Sequence, residues 1–173
     1  DAGGRLLDET SPPMVPEPLM RLVEAERHLS EQQHAFVVRS GVVYGRSGGS
    51  GVTEMIDGVR SRGASGVVNP ANRISVVHVD DLAQLFLLML QHDSPPNVVN
   101  GVSGQPSSKD VMEAVAVAAG VPEELDEFNP QDAMMLGGFG IYLPIDQNVS
   151  GKLARESLGW RPSAPSIVNE LRF

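Results

Sequence analysis

Apolar and polar positions alternate along this chain with two periods, and together they predict a succession of helices and short strands. Leu22, Ala25 and Leu29 recur at helical spacing, and Leu19 and Val23 widen the same face. The spacing predicts a helix over roughly Glu17 to Gln33, with Glu24, Glu26, Arg27 and Glu31 on its wet side. Ala35 to Arg39 is a short continuous apolar run, as in a parallel strand covered on both faces. A glycine-rich loop, Gly45 to Gly51, leads to a helix from about Val52 to Arg62, and Gly66 to Val68 reads as a short strand. Ile74 to Val79 is the central strand. It runs into an apolar helix through Leu82, Leu85, Phe86, Met89 and Leu90, with Leu87 and Leu88 on its other side. Apolar all round, that helix is expected to lie buried between layers, with Asp80 as cap and Asp81 at the positive end of its dipole.

The second half continues the pattern. Asn97 to Gly101 is a strand, and a helix follows at about Ser108 to Ala119, capped by Ser107 or Ser108 and ended by Gly120. Glu123 to Asp132 reads as an acidic surface excursion. Met134 to Phe139 reads as a lid or packing segment, with core packing preferred. A last helix carries Leu153 and Leu158, and Trp160 would anchor it. Strands alternating with helices place the chain in the α/β class.

Composition narrows the function. The chain has 173 residues, a net charge of −9 and no cysteine. An acidic chain offers no clustered cations to a nucleic acid and gains nothing at an anionic membrane surface, so neither is an expected partner. Without cysteine there is no disulfide, thiolate nucleophile or cysteine-ligated zinc. The longest apolar helix is too short to span a bilayer. No secretory signal is visible, and a cytoplasmic location is the expectation. The opening on Asp1 and the acidic loop Leu7 to Thr10 suggest a piece of something longer.

Candidate chemistry is sparse. The hydrolase elbow G-x-S-x-G and the zinc pattern H-E-x-x-H are absent. His78, Asp80 and Asp81 make a poor metal trio, because neighbouring strand positions point to opposite faces. His28 and His34 read as solvated surface groups. The loop Gly45 to Gly51 follows a strand and precedes a helix, the arrangement that presents amides to phosphate, but it spells neither a dinucleotide fingerprint nor a Walker loop. A plain flexible loop and a phosphate contact both stay open.

Three ordered segments carry a resemblance. Arg73-Ile74-Ser75-Val76-Val77-His78-Val79-Asp80-Asp81-Leu82-Ala83 resembles the strand-to-helix joint of the extended short-chain dehydrogenase/reductases, the NAD-dependent epimerase/dehydratase family, and its atypical members in particular. Val37 to Gly45 is similar to that family's Arg-Pro-x-x-Val-Tyr-Gly, with Ser40 where proline is usual, and Ser150 to Pro162 is similar to its closing Leu-Gly-Trp-x-Pro helix.

The resemblance implies the C-terminal part of a Rossmann-type parallel sheet with a small mixed α/β substrate-binding subdomain. Residues 1–173 would be a single-domain fragment whose nucleotide-binding half is absent. NAD or NADP is the implied cofactor of the intact parent, an oxidoreductase or epimerase. Its nicotinamide end would approach Ser40, Gly41, Val42 and Val43, largely through backbone. The implied partners are a small-molecule substrate (sugar-nucleotide, carbonyl or hydroxyl), met by Tyr44, Arg46, Arg73 and His78, and a second copy, in a homodimer through the helix near 17–33. Arg73 would face an anionic part of the substrate or be a solvated loop residue. Tyr44 would be a substrate contact or a core aromatic, and for His78 packing outweighs acid/base work.

The family's Tyr-x-x-x-Lys pair is missing: aligning its helix on Glu26 puts Pro18 and Leu22 at those positions, while Tyr44 and Tyr142 are followed four residues later by Gly48 and Asp146. A catalytic parent, a non-catalytic NAD(P)-sensing protein and an interaction module therefore remain as three readings.

Overall fold

The computed structural model describes residues 2–13, 15, 17–32, 35–46 and 50–172, and at 18, 50, 138 and 139 the backbone alone. Its strands pair in parallel, two by two. β1 (Val37–Ser40) lies on β5 (Val98–Gly101), β2 (Val42–Tyr44) on β4 (Val76–His78), and β3 (Ser65–Val67) on β6 (Leu125–Glu127). α1 (Met20–Ser30) precedes β1, the crossovers hold α2 (Ser50–Arg62), α3 (Val79–Gln91) and α4 (Ser108–Ala119), and α5 (Pro130–Met134), α6 (Lys152–Leu158) and α7 (Ile167–Arg172) follow β6. This is the α/β, parallel-strand architecture expected from the sequence.

β1 and β2 are one extended stretch that changes partner at Gly41. The Gly41 amide donates to Gly101 O at 3.1 Å, and the next amide, of Val42, donates to Ser75 O at 2.7 Å. A Cβ on Gly41 would stand 2.7 Å from Ser75 O, so the close backbone approach requires glycine.

β4 is the seam between two cores. Val76 faces a cluster holding Tyr44, Met55, Ile74, Met112 and Leu136, while Val77 faces one holding Leu85, Met89, Val99 and Trp160. Adjacent strand residues point to opposite faces, so one short strand feeds both. α4 closes the first core, and it forms where the sequence placed it. The Ser107 hydroxyl accepts from Asp110 N, and Gly120 ends the helix in the left-handed region at φ 72°. Trp160, fully buried, fixes the second core behind α6, whose cap Gly159 is also left-handed.

Several expectations need correction. The central strand is confined to Val76–His78, because Ile74 and Ser75 belong to an irregular stretch in which Ile74 N donates to Pro106 O. α3 begins at Val79, so Asp80 is not its cap. The cap is His78, whose Nδ1 accepts from Asp80 N at 3.1 Å. Nor is α3 buried all round: Leu85 and Met89 are in the core, but Phe86, Leu87 and Leu90 are exposed, since only one face meets the sheet and α6. The first strand starts at Val37, two residues later than expected, and Phe36 packs on Phe86 instead. The helix expected over 17–33 is α1 preceded by a single 3-10 turn at Glu17–Leu19, and Gln33 and His34 lie outside the described residues.

The acidic excursion holds real structure. β6 lies within it and α5 begins there, Phe128 is buried, and Asn129 and Asp132 form a reciprocal cap. In the segment after it, Leu136 is buried while Met134 and Met135 are exposed, so packing and exposure divide it. The helix α7 was not foreseen.

Candidate functional site: a cleft beneath α1

α1 carries no buried residue. Its apolar stripe stands over β1 and encloses, with residues between Arg5 and Pro13 and with Val15, a cleft of about 670 Å³. Leu19, Leu22, Val23 and Leu29 line one wall, and Val37, Val38, Ser40 and Gly41 line the floor. Ser75, Asn100, Tyr142 and Gln147 close the far side. A cavity of this size suits a small organic ligand.

The stretch over the cleft is fastened at defined points. Ala2 N donates to Asp146 O at 2.8 Å and Gly4 N to the Asp146 carboxylate at 2.7 Å. Leu7 N donates to Asn148 O, and Ser150 N donates back to Leu7 O. Glu9 receives Asn100 N on its carboxylate at 2.7 Å.

An ion pair holds α1 to β1. Arg39 Nη2 and Glu26 Oε1 are 2.6 Å apart, Arg39 Nε is 3.1 Å from both carboxylate oxygens, and both side chains are mostly buried. Arg39 also donates to Glu9 O at 3.3 Å. Glu26 is therefore not a wet-side residue. Its signal in the sequence was its spacing from Leu22 and Val23, together with a lone cation ending the run Val37-Val38-Arg39.

The sequence-derived site residues separate into three places. Ser40 and Gly41 line the cleft. Val42 and Val43 do not, because their side chains pack against the two cores. Arg73 lies elsewhere: its amide donates to Asp146 Oδ1 at 2.9 Å and its Nη1 to Gln105 O at 3.2 Å. Pairing of Arg73 with Ser107 in an antiparallel bridge carries the exposed side chain along that edge rather than among the cleft residues.

Tyr44, Arg46 and His78 form a third group, around an open hollow beside α7. Each uses its polar atoms inside the protein. Tyr44, 4% exposed, donates its hydroxyl to Pro165 O at 2.8 Å. Its ring meets His78 edge-on with centroids 5.2 Å apart. Burial pushes the Tyr44 phenol up to about 12. His78 Nε2 lies 3.3 Å from Glu170 Oε2, and Arg46 pairs with Asp80 at 2.6 Å. In that arrangement the Tyr44 hydroxyl is held inside the protein, while His78 also lines the hollow. The rest of the Gly45–Gly51 loop, residues 47–49, lies outside the described residues.

Proton chemistry is poorly provided for in the cleft. Glu26 is spent on Arg39. Hydrogen bonds from Thr10 lead the causes that hold the Asp8 carboxyl below its usual value, so it stays ionised. Burial raises the Tyr142 phenol, so it stays protonated. Leu22 occupies the helix position where the resemblance calls for lysine. Among the described residues no group of three His, Cys, Asp or Glu is placed to hold a metal ion, and no helix is long and apolar enough to cross a membrane.

Neither a protein-family model nor a curated protein matches the chain by sequence. Solved structures match it by shape. The human epimerase family protein SDR39U1 (isoform 2), solved with NADPH, superposes with a TM-score of 0.73 at 22% identity, over 98% of this chain and 59% of that one. The chain has the epimerase fold. A conserved protein of unknown function from Silicibacter pomeroyi gives a TM-score of 0.70 at 22% identity, over 96% of this chain and 58% of that one. The Thermus thermophilus UDP-glucose 4-epimerase with NAD gives 0.63 at 21% identity, over 98% and 58%. The resemblance read from three sequence segments thus holds at the level of the fold. The chain spans less than two thirds of the length of these structures.

Proposed function

We propose that this chain is the substrate-side half of an NAD(P)-dependent epimerase-, dehydratase- or reductase-like protein, with the cleft beneath α1 as its ligand chamber. The observation that carries this reading is the cleft itself, floored by Ser40 and Gly41 in a fold whose solved examples hold NADPH or NAD. Ser40 is exposed, so the floor is open to a flat ring at that point. These two residues fit only the nicotinamide end; the described residues offer no glycine fingerprint for a pyrophosphate. When bound, the cofactor would supply hydride chemistry, and the chain's own residues would bind and orient the reactants.

A second reading, a non-catalytic NAD(P)-sensing protein, is favoured by Leu22. Its apolar side chain stands in the cleft wall where a lysine would tune an acid/base tyrosine.

Amide chemical-shift mapping of the 173-residue chain with millimolar NADPH tests the chamber. Shifts gathered at Ser40, Gly41 and Leu22, with weak affinity, are expected. Shifts gathered around Arg46 and Glu170, or none at all, overturn it, and micromolar affinity overturns the idea that the cofactor site is divided. Self-association through α1 is a separate proposal, supported by its exposed Met20 and Leu29. Sedimentation of the wild type as a dimer and of Met20→Asp as a monomer is its expected outcome. Met20 is absent from the cleft lining, so this variant leaves the chamber intact.

A further inference from the structure

The chamber's lining is electrically balanced, and this identifies what it holds. Four charged residues line it: Arg5, Asp8, Glu26 and Arg39. Glu26 and Arg39 neutralise one another across three close contacts. Asp8 accepts from Thr10 N and Oγ1 and from Ser11 Oγ. That leaves Arg5, which is exposed, with Nε 3.5 Å from Ala2 O. A diphosphate enclosed here would face two carboxylates without an enclosed cation left to pair with it, and an ionic group loses far more hydration than such a site returns.

The remaining wall is apolar: Leu19, Leu22, Val23, Val37, Val38 and Val149. Hydrogen-bonding capacity is confined to a few points. Of these, the Ser75 hydroxyl is given to Gln147 O, and the Asn100 amide to Ser150 O at 3.0 Å. The exposed Ser40 hydroxyl stands at the floor. Arg73, the cation the sequence offers for an anionic substrate, points to Gln105 O instead.

We infer that the chamber takes an uncharged, largely apolar small molecule bearing a hydrogen-bonding carbonyl or hydroxyl group, and not a sugar-nucleotide. The inference rests on the chamber proposed above and names its substrate class. It also sets this chain apart from the UDP-glucose 4-epimerase that shares its fold.

The neutral fluorophore N-phenyl-1-naphthylamine is the probe. Titrated into the full chain, it binds saturably at one site, and an uncharged aromatic ketone displaces it. Leu22→Asp weakens it at least tenfold, because the new carboxylate stands in the apolar wall. Leu90→Asp, on the exposed face of α3, leaves it within twofold. Millimolar UDP-glucose does not displace it. Leu22 is 63% exposed, so the fold should tolerate the change. If melting shows that it does not, Leu22→Gln carries the same reading with a smaller loss. Undiminished probe binding in a folded Leu22 variant overturns the inference, as does competitive displacement by UDP-glucose. NADPH shifts at Ser40 and Gly41 without probe binding overturn the ligand class alone. Probe binding without those shifts overturns the cofactor reading and leaves an apolar chamber.

Discussion

The indole Nε1 of Trp160 donates to the backbone oxygen of Asp81 at 2.8 Å, while the Asp81 carboxylate accepts from the amides of Ser163 and Ala164 at 2.9 and 3.3 Å. One residue at the start of α3 thus fastens the segment between α6 and α7. Asp81→Ala leaves two amides without acceptors, while the Trp160 bond to the main chain survives. The Ser163 bond to the charged acceptor is worth about 1.5–3 kcal/mol and the longer Ala164 bond about 0.5–1 kcal/mol, so a loss of about 2–4 kcal/mol is expected. For a chain of this size that is a fall of roughly 4–16 °C in Tm. Asp81→Asn keeps an acceptor and loses less. Thermal melting of both variants checks the order.

Glu26 and Arg39 are expected to be energetically coupled. Glu26→Ala leaves a mostly buried guanidinium without its partner, and Arg39→Ala does the same to the carboxylate. Each costs about 1–3 kcal/mol, and the double variant costs less than the sum by at least about 1 kcal/mol. Urea denaturation of the four proteins in the cycle measures it. Strict additivity leaves α1 held by its apolar contacts alone.

Both tyrosines titrate late. Burial is the main cause for each, and for Tyr44 the nearby Glu170 and Asp81 carboxylates add to it. A phenol whose pKa is raised on folding stabilises the fold fully below its unfolded value, and that contribution is lost as pH rises through the folded one. For Tyr44 the window runs from about 10 to about 12. Absorbance at 295 nm should show no tyrosinate step at the ordinary phenol value while the chain stays folded. Tyr44→Phe should remove the later step, at a stability cost of about 1 kcal/mol for the bond to Pro165 O.

Gly41→Ala should destabilise the apo chain. Its Cβ would meet Ser75 O, Ser75 C and Val76 N at 2.7–2.8 Å, all of them backbone atoms. The expected loss is about 1–3 kcal/mol, the range for forcing atoms into a packed site. Melting without any nucleotide present decides whether Gly41 serves the strand exchange or only a cofactor. An unchanged Tm rules out the structural role.

α3 provides an internal contrast. Leu85→Ala should cost about 2–5 kcal/mol and Leu90→Gln less than about 0.5 kcal/mol, because the first is fully buried and the second is 69% exposed. Denaturant midpoints for the two variants settle it. The sequence could not separate these leucines, since hydrophobicity records what a side chain tolerates and not which face of the helix meets the sheet.

The same limit governed the site. α4 was readable from end to end because Ser107, the Val111–Val115 spacing and Gly120 act within one helix. Ser40 and Gly41 line the cleft, and their segment carries the family resemblance through its local order. Arg73 and Tyr44 looked open because their polar atoms have no partner nearby in sequence, and His78 finds only the Asp80 amide there. They are occupied by Gln105, Pro165 and Glu170, each at least 32 residues away. The cleft wall depends on how α1 docks over β1, and no stretch of sequence contains that docking. Glu26 was assigned to solvent for the same reason, since its partner lies 13 residues on.

Every strand finds its partner far along the chain. β1 waits for residues about 60 positions later, β3 for residues about as distant, and even β2 and β4 are separated by a whole helix and strand. No hairpin exists among the described strands to seed a ladder. Loop closure must therefore come before any inter-strand hydrogen bond returns energy, and the helices must form first on local propensity. Synthesis adds about 5–20 residues per second, so within residues 1–173 the pairing of β1 with β5 waits several seconds after β1 has been made.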